Sequence, residues 1–478
     1  MDSKRRLMLA SLIFALILGG FIGWLWGENM FTAINLKGEV TLAKEKVRTL
    51  DYAMRSGDVI IGGAEKLRAA VVESKKAVEE FSNFSLSYTF YSLFNFAGKL
   101  FLNLLNLLVI PLVVSSLIVA MVTLGDIRHV GRTGLRTVLY YFVTTSIAVL
   151  IGIALVTLIN PGVGVESSEV IASKVMGKED AGIVDTILSV FLDEGDKSKG
   201  AFPGNIVGAM SQMNVLGVIV FSLLFGAALT TVGEKAKTVI SFFDGVNEAV
   251  LKLIHWVLYL LPIGVIGLIV GRLAEMGGGS ALWAELSRLG WYAGTVISAL
   301  LIHGLIILPL ILFILTRRGP LAYAGGMTKA LLTAFSTASS AATLPTTMEC
   351  VEENNKVSRR SASFVLPIGA TINMDGTALY EAVAVIFIAQ VYGIEMGAGM
   401  LLIVFLTATL AAIGAAGIPE AGLVTMVIVL NATGLPLEGV AVLLSIDWFL
   451  DRCRTTINVW GDSIGAAVVD HYEVVEER

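Results

Sequence analysis

Cysteine is nearly absent: Cys350 and Cys453 are the only two in 478 residues. That excludes a disulfide framework and any multi-cysteine metal centre. Histidine is as scarce. His129, His255, His303 and His471 show no ligand spacing of the H-E-x-x-H kind, and each is expected to be structural. Charge is thin too, with 15% of residues charged against about a quarter in soluble domains. The formal net charge of −5 is small for this length, so neither nucleic acid nor a strongly charged partner is implied. What fills the chain is apolar: 55% of residues are hydrophobic and the mean hydropathy is +0.80. A soluble enzyme is excluded on that ground, and the expectation is an all-α polytopic membrane protein.

A helix needs about 20 apolar residues to cross a hydrocarbon core of about 30 Å. Eight stretches qualify, near 7–26, 93–121, 135–159, 206–231, 247–271, 290–316, 361–394 and 438–468. The first follows Lys4-Arg5-Arg6 but has no small-residue cleavage site after it, so it reads as an uncleaved span. With a cytoplasmic N-terminus, Arg128, Arg132 and Arg136, then Lys235 and Lys237, then Arg317 and Arg318, then Lys356, Arg359 and Arg360 all fall on the inner side, which fits the lysine and arginine bias of cytoplasmic loops. Both termini are then cytoplasmic, and 27–92 and 160–203 are external. Asn83-Phe84-Ser85 is a glycosylation triplet common by chance, and carries no weight.

Two further apolar segments, about 325–350 and 397–433, are interrupted by small and polar residues ending in a proline: Ser339-Ser340-Ala341-Ala342-Thr343-Leu344-Pro345 and Gly414-Ala415-Ala416-Gly417-Ile418-Pro419-Glu420-Ala421-Gly422. Their arms are too short to span and read as two re-entrant helical hairpins. Each precedes a long span carrying ionisable residues, so hairpin plus helix occurs twice. Paired interrupted segments point to a transporter site at the midplane, and glycine-kinked structural helices are the alternative.

Charge at membrane depth is costly, and functional by default. In the last span Asp447, Asp451, Arg454, Thr455, Asn458 and Asp462 fall within an arc of about 100° at 3.6 residues per turn. Such a stripe either holds a bundle together by ion pairing or binds a solute. Both charge signs, an amide and a hydroxyl suit a zwitterion with a second carboxylate, since Arg454 offers a bidentate fork and Asp451 accepts from ammonium. In the preceding span Gly369-Ala370-Thr371-Ile372-Asn373-Met374-Asp375-Gly376-Thr377 offers amide, carboxylate and hydroxyl oxygens beside a glycine, the donors a hard cation prefers. Asp375 and Asp462 are thus candidate sodium carboxylates, with ion pairs to Arg452 or Arg454 as the alternative. Glu381 is a candidate proton carrier.

The runs Asn373-Met374-Asp375-Gly376-Thr377-Ala378-Leu379-Tyr380-Glu381, Ala415-Ala416-Gly417-Ile418-Pro419, and Asp447-Trp448-Phe449-Leu450-Asp451-Arg452 with Arg454-Thr455-Thr456 and Asn458 resemble the glutamate transporter family: the excitatory amino acid transporters, the prokaryotic sodium/glutamate-aspartate symporters and their neutral amino acid relatives. The likeness is dense over 325–470 and looser over 93–320, and 27–92 has no recognised counterpart. It implies eight transmembrane helices plus two re-entrant hairpins in inverted repeats. The implied divisions are a first helix (1–26), an extracellular insertion (27–92), scaffold, trimerisation and transport-domain helices (93–320), a transport core (321–470) and a cytoplasmic tail (471–478).

The resemblance also implies residue roles. The substrate α-carboxylate falls near Ser340 and Asn458, its ammonium on Asp451, and its distal carboxylate on Arg454 and Thr377 beside Thr455, with Ile418 and Gly422 in the closing hairpin. One sodium site would use Gly369, Asn373, Asn458 and Asp462, and a second the backbone near Thr371 with the outer hairpin. A third would use Tyr141, Thr144, Thr145, Asn373 and Asp375. Neutral amino acid relatives lack an arginine at the Arg454 position, so the implied cargo is L-glutamate, L-aspartate or D-aspartate. The implied activity is sodium-driven symport by alternating access, not an enzyme reaction, and a neutral amino acid exchanger is the alternative. Glu381 and Arg452 follow the animal pattern, which implies proton cotransport and potassium countertransport. A homotrimer in the lipid of the plasma or inner membrane, with sodium as coupling ion and no other cofactor, completes the expectation. Ala341, Glu420 and the 27–92 segment depart from the family pattern.

Overall fold

The computed structural model describes residues 3–56, 63–123, 127–163, 191, 200–275, 277–414 and 421–476. Among these residues every regular element is helical and there is no strand. Among the described residues, six helical stretches are long and apolar enough to cross a membrane: Ile13–Arg55, Ser85–Thr123, Arg132–Ile159, Val215–Leu258, Leu286–Thr316 and Arg359–Val391. Contacts divide the chain into two compact units, one built from Ser3–Asn103 and Tyr259–Ser287, the other from Leu104–Leu258 and Arg288–Arg478.

In the smaller unit α1 (Ser3–Arg55) does not stop at residue 26 but continues for 29 residues beyond it, as the numbering from 26 to 55 gives. The reason lies in composition. Residues 27–55 hold no proline and are rich in alanine, leucine, lysine and glutamate, all good helix formers. Hydropathy marks where the apolar stretch ends, which is not where the helix ends. α2 (Gly63–Ser82) packs back along it, tied by Lys46 Nζ to Glu73 Oε2 at 2.7 Å and by the Lys37 ammonium 5.1 Å from the Phe81 ring centroid. Much of the 27–92 segment is therefore helix; residues 57–62 lie outside the described residues. α3 (Ser85–Thr123) follows. Gly23 and Gly27 let α1 lie against α8 (Leu261–Glu275) and the turn after it: a Cβ on Gly27 would stand 2.5 Å from Gly278 Cα. Small residues at four-residue spacing permit such close approach of membrane helices.

The larger unit begins from the second part of α3 with α4 (Ile127–Ile159). The expected span 206–231 is interrupted: α5 (Ile206–Ser211) and α6 (Val215–Val232) are separated at Asn214, whose side chain caps α6 by accepting from Gly217 N–H. The expected span 247–271 is likewise two helices, α7 (Lys237–Leu258) and α8, broken ahead of Pro262, a residue tolerated in a first helical turn. α9 (Gly279–Ile302) passes through one π-helical turn, His303–Ile307, into α10 (Leu308–Thr316).

Two helix pairs follow. In α11 (Pro320–Thr337) and α12 (Ser340–Glu349) the chain reverses at Ala338 and Ser339, not at Pro345, which lies inside α12. Ala338 takes a left-handed conformation (φ 48°), and Ser339 caps α12 by accepting from Ala342 N–H. The Thr337 hydroxyl accepts from Ser339 N–H and pairs with Thr343. Side chains thus replace the backbone bonds that the reversal removes. The second pair is α15 (Ala398–Ile413) and α16 (Ala421–Thr433), whose tip, 415–420, lies outside the described residues.

The expected span 361–394 also divides, into α13 (Arg359–Ile372) and α14 (Asp375–Val391), with Asn373 and Met374 non-helical between them. Every residue of α14 except Gln390 is buried, as befits a helix that is apolar all round. α17 (Val440–Glu476) packs against α4, α10, α11, α12, α13 and α14, so its polar stripe faces protein on several sides.

Candidate functional site

The α17 stripe centres on Arg454, which is fully buried. Its Nη2 donates to Asp451 Oδ1 at 2.7 Å, and its Nη1 lies 3.1 Å from Asp447 Oδ1. The guanidinium carbon sits 3.9 Å from the Tyr380 ring centroid, a cation-π distance. Nε has no acceptor among the described residues. Gly422, in the first turn of α16, presses on the same group: a Cβ there would meet Nη1 at 2.6 Å. One turn further along α17, Asn458 accepts from Gly376 N–H at 2.8 Å and turns its Nδ2 toward Thr377 Oγ1 at 3.3 Å and Met374 Sδ at 3.2 Å. Thr455 is buried beside Arg454, bonded to the Asp451 carbonyl. Asp451, Arg454, Thr455, Asn458, Thr377 and Gly422 are therefore gathered into one place.

A second cluster lies where α13 gives way to α14. Asp375 Oδ1 accepts from Thr145 Oγ1 at 2.6 Å and Thr144 Oγ1 at 3.3 Å, both on α4. Asn373 Nδ2 donates to Asp462 Oδ1 at 2.9 Å, while its Oδ1, though buried, accepts nothing among the described residues. Tyr141 belongs here as well. A Cβ on Gly369 would lie 2.5 Å from both Tyr141 Oη and Asp462 Oδ1, so only glycine leaves those oxygens together. Two buried carboxylates, hydroxyls and an unused amide oxygen form a hard, oxygen-rich donor set. Neither carboxylate pairs with Arg452 or Arg454. Asp375 instead meets His303, Nε2 to Oδ2 at 3.0 Å. Reading the sequence missed this contact by treating His303 as structural, although an ionisable side chain inside the expected span 290–316 was the signal for it.

The remaining expected residues lie around these two clusters. Ser340 is buried at the first turn of α12, a helix that packs on α17. Glu381 is fully buried on α14 with Thr425 of α16 facing its carboxyl. Thr371 is exposed and its hydroxyl donates to its own helix at Ile368 O. Arg452 lies off the stripe, donating to the Trp448 carbonyl at 2.5 Å and stacking 5.5 Å over that indole. Ile418 lies outside the described residues.

Residues 8–472 match the pattern of the sodium:dicarboxylate symporter family, a match that runs across 27–92. Excitatory amino acid transporter 1 of Ambystoma tigrinum is 41% identical, over 90% of this chain and 87% of its own length. Excitatory amino acid transporter 3 of Homo sapiens is 40% identical over 82% of this chain and 81% of its own. Excitatory amino acid transporter 4 of Mus musculus is 40% identical over 81% and 79%.

Proposed function

The chain belongs to the sodium:dicarboxylate symporter family, a family of membrane transporters and not of enzymes, and we propose that it carries glutamate or aspartate across the plasma membrane by coupling to sodium. The observation that carries this reading is the state of Arg454. A buried guanidinium held between Asp447 and Asp451 has its charge compensated and its orientation fixed, while Nε stays without an acceptor. A substrate with a distal carboxylate takes the fork of Arg454, Asp451 is released to its ammonium, and Asn458 with Thr377 holds the head group. Ser340 and Gly422 contribute from the two hairpins that would enclose it, and Ile418 is assigned to the closing hairpin by the family resemblance alone.

Sodium suits the second cluster on the chemistry of its donors: oxygens only, two of them carboxylate, with Asn373 Oδ1 unused. Tyr141, Thr144, Thr145, Asn373 and Asp375 hold one ion, Gly369, Asn373, Asn458 and Asp462 another, and backbone near Thr371 with the outer hairpin a third. Bound sodium neutralises carboxylates that membrane depth otherwise disfavours, which ties substrate binding to the ion. Alternating access then moves the loaded core, in a homotrimer whose chains have both termini cytoplasmic. Glu381 carries a proton with the substrate, and the empty carrier returns with potassium.

The test is uptake of labelled aspartate into proteoliposomes, with and without a sodium gradient, by the wild type and by Arg454→Cys. Wild type accumulates aspartate only with the gradient. The variant loses the cation for the distal carboxylate, and truncating a buried charge pair typically costs about 2–5 kcal/mol, so aspartate uptake falls at least about thirtyfold while exchange of labelled serine or alanine appears. Unchanged aspartate uptake in Arg454→Cys overturns the assignment, and uptake indifferent to sodium overturns the coupling.

A further inference from the structure

We propose that His303 is the positioning residue of the Asp375 cation site: an imidazole whose Nε2–H holds one carboxylate oxygen so that the other is set for the ion. This rests on the reading above that Asp375 binds sodium. It begins from how little else His303 does. The side chain has no exposed surface, its Nε2 lies 3.0 Å from Asp375 Oδ2, and its Nδ1 has no partner among the described residues. An imidazole retained for packing or for tying helices together would be expected to satisfy both nitrogens. Here the Asp375 contact is the polar role that the geometry leaves to it.

The backbone is arranged for this contact. His303 is the first residue of the π-helical turn His303–Ile307, and such turns concentrate at functional sites because they re-aim side chains. The wide turn is pinned to α17. Trp460 Nε1 donates to the Gly304 carbonyl at 2.9 Å, and a Cβ on Gly304 would lie 2.4 Å from Ile457 Cδ1. With α17 against this turn and α4 supplying Thr144 and Thr145 to Oδ1, the Asp375 carboxylate is held from two directions.

Charge explains why the partner is an imidazole. An arginine or lysine against Asp375 would cancel the negative charge that attracts a cation. An imidazole offers an N–H donor without a permanent positive charge, so it can fix the carboxylate plane and leave that charge in place, the same logic by which outer partners orient ligands around bound metals.

The test is the sodium concentration that half-maximally raises the melting temperature of the purified full chain, without substrate and at constant ionic strength in choline chloride. His303→Leu keeps bulk and removes the donor; His303→Gln puts an N–H close to the Nε2 position; His303→Asn is one carbon too short to reach Oδ2. The half-maximal sodium concentration rises roughly tenfold or more in the Leu and Asn variants, the usual scale for losing an outer partner of a metal ligand, and Gln stays near wild type. Equal sodium dependence in wild type and the Leu variant overturns the proposal. Should the Leu variant not fold, Gln and Asn decide: the proposal fails if the two behave alike. A wild type whose melting ignores sodium instead counts against the sodium reading itself.

Discussion

Glu381 poses the sharpest question at the scale of single residues. It is fully buried on α14, and Lys and Arg are absent from its own helix. A carboxylate at membrane depth must find a cation, water or a proton. With Arg454 already engaged by two aspartates, a proton is the simplest neutraliser. Glu381→Gln carries that neutral state permanently. Its substrate exchange is therefore preserved, its uptake no longer varies between mildly acid and mildly alkaline media, and stimulation by internal potassium is lost. A variant that keeps the wild-type pH profile of net aspartate uptake removes Glu381 from the proton path. Single residues are also where the sequence was most and least legible. The α17 stripe could be drawn from helical periodicity alone, because Asp451, Arg454 and Asn458 are neighbours on one helix face. The partnership of His303 with Asp375 could not, since 72 residues separate them and no spacing rule joins a histidine on one helix to an aspartate at the start of another.

Elements show the same division. Apolar length marked stretches that are helical, although the expected spans 206–231, 247–271 and 361–394 each divide into two helices, and the two interruptions by small residues fall between α11 and α12 and between α15 and α16. The first reversal falls at the start of the run Ser339–Pro345, where Ala338 takes the left-handed turn and Ser339 supplies the cap, while the rest of that run, Pro345 included, is the opening of α12. α1 outruns the apolar stretch that ends near residue 26 because the residues beyond it hold no proline and many good helix formers, so the helix runs on to Arg55. A testable consequence belongs to the packing of α16 on α17. Gly422→Ala puts a methyl carbon 2.6 Å from Arg454 Nη1, and overpacking of this kind costs about 1–3 kcal/mol. Thermal melting of the single and double variants checks it. Gly422→Ala lowers stability in the wild-type background and lowers it much less beside Arg454→Cys, where the guanidinium is gone. An equal loss in both backgrounds would show that Gly422 does not press on Arg454.

Taken as a whole, the larger unit places the Arg454 cluster and the Asp375 cluster on the same helices. Asn458 touches Gly376 and Thr377, while four residues on, Asp462 reaches Asn373, which is two residues from Asp375. Substrate and ion would therefore share the α14 start and the α17 stripe, and binding of either should order the groups that hold the other, a coupling that is reciprocal by thermodynamic necessity. The direct measurement follows from that reciprocity. In proteoliposomes with equal sodium on both sides and the membrane potential clamped at zero, an inward aspartate gradient is imposed and entry of radiolabelled sodium is followed. A sodium-coupled carrier moves sodium inward against no gradient of its own, and Asp375→Asn weakens that movement. Aspartate entry with no accompanying net sodium entry would contradict the coupling on which this account rests.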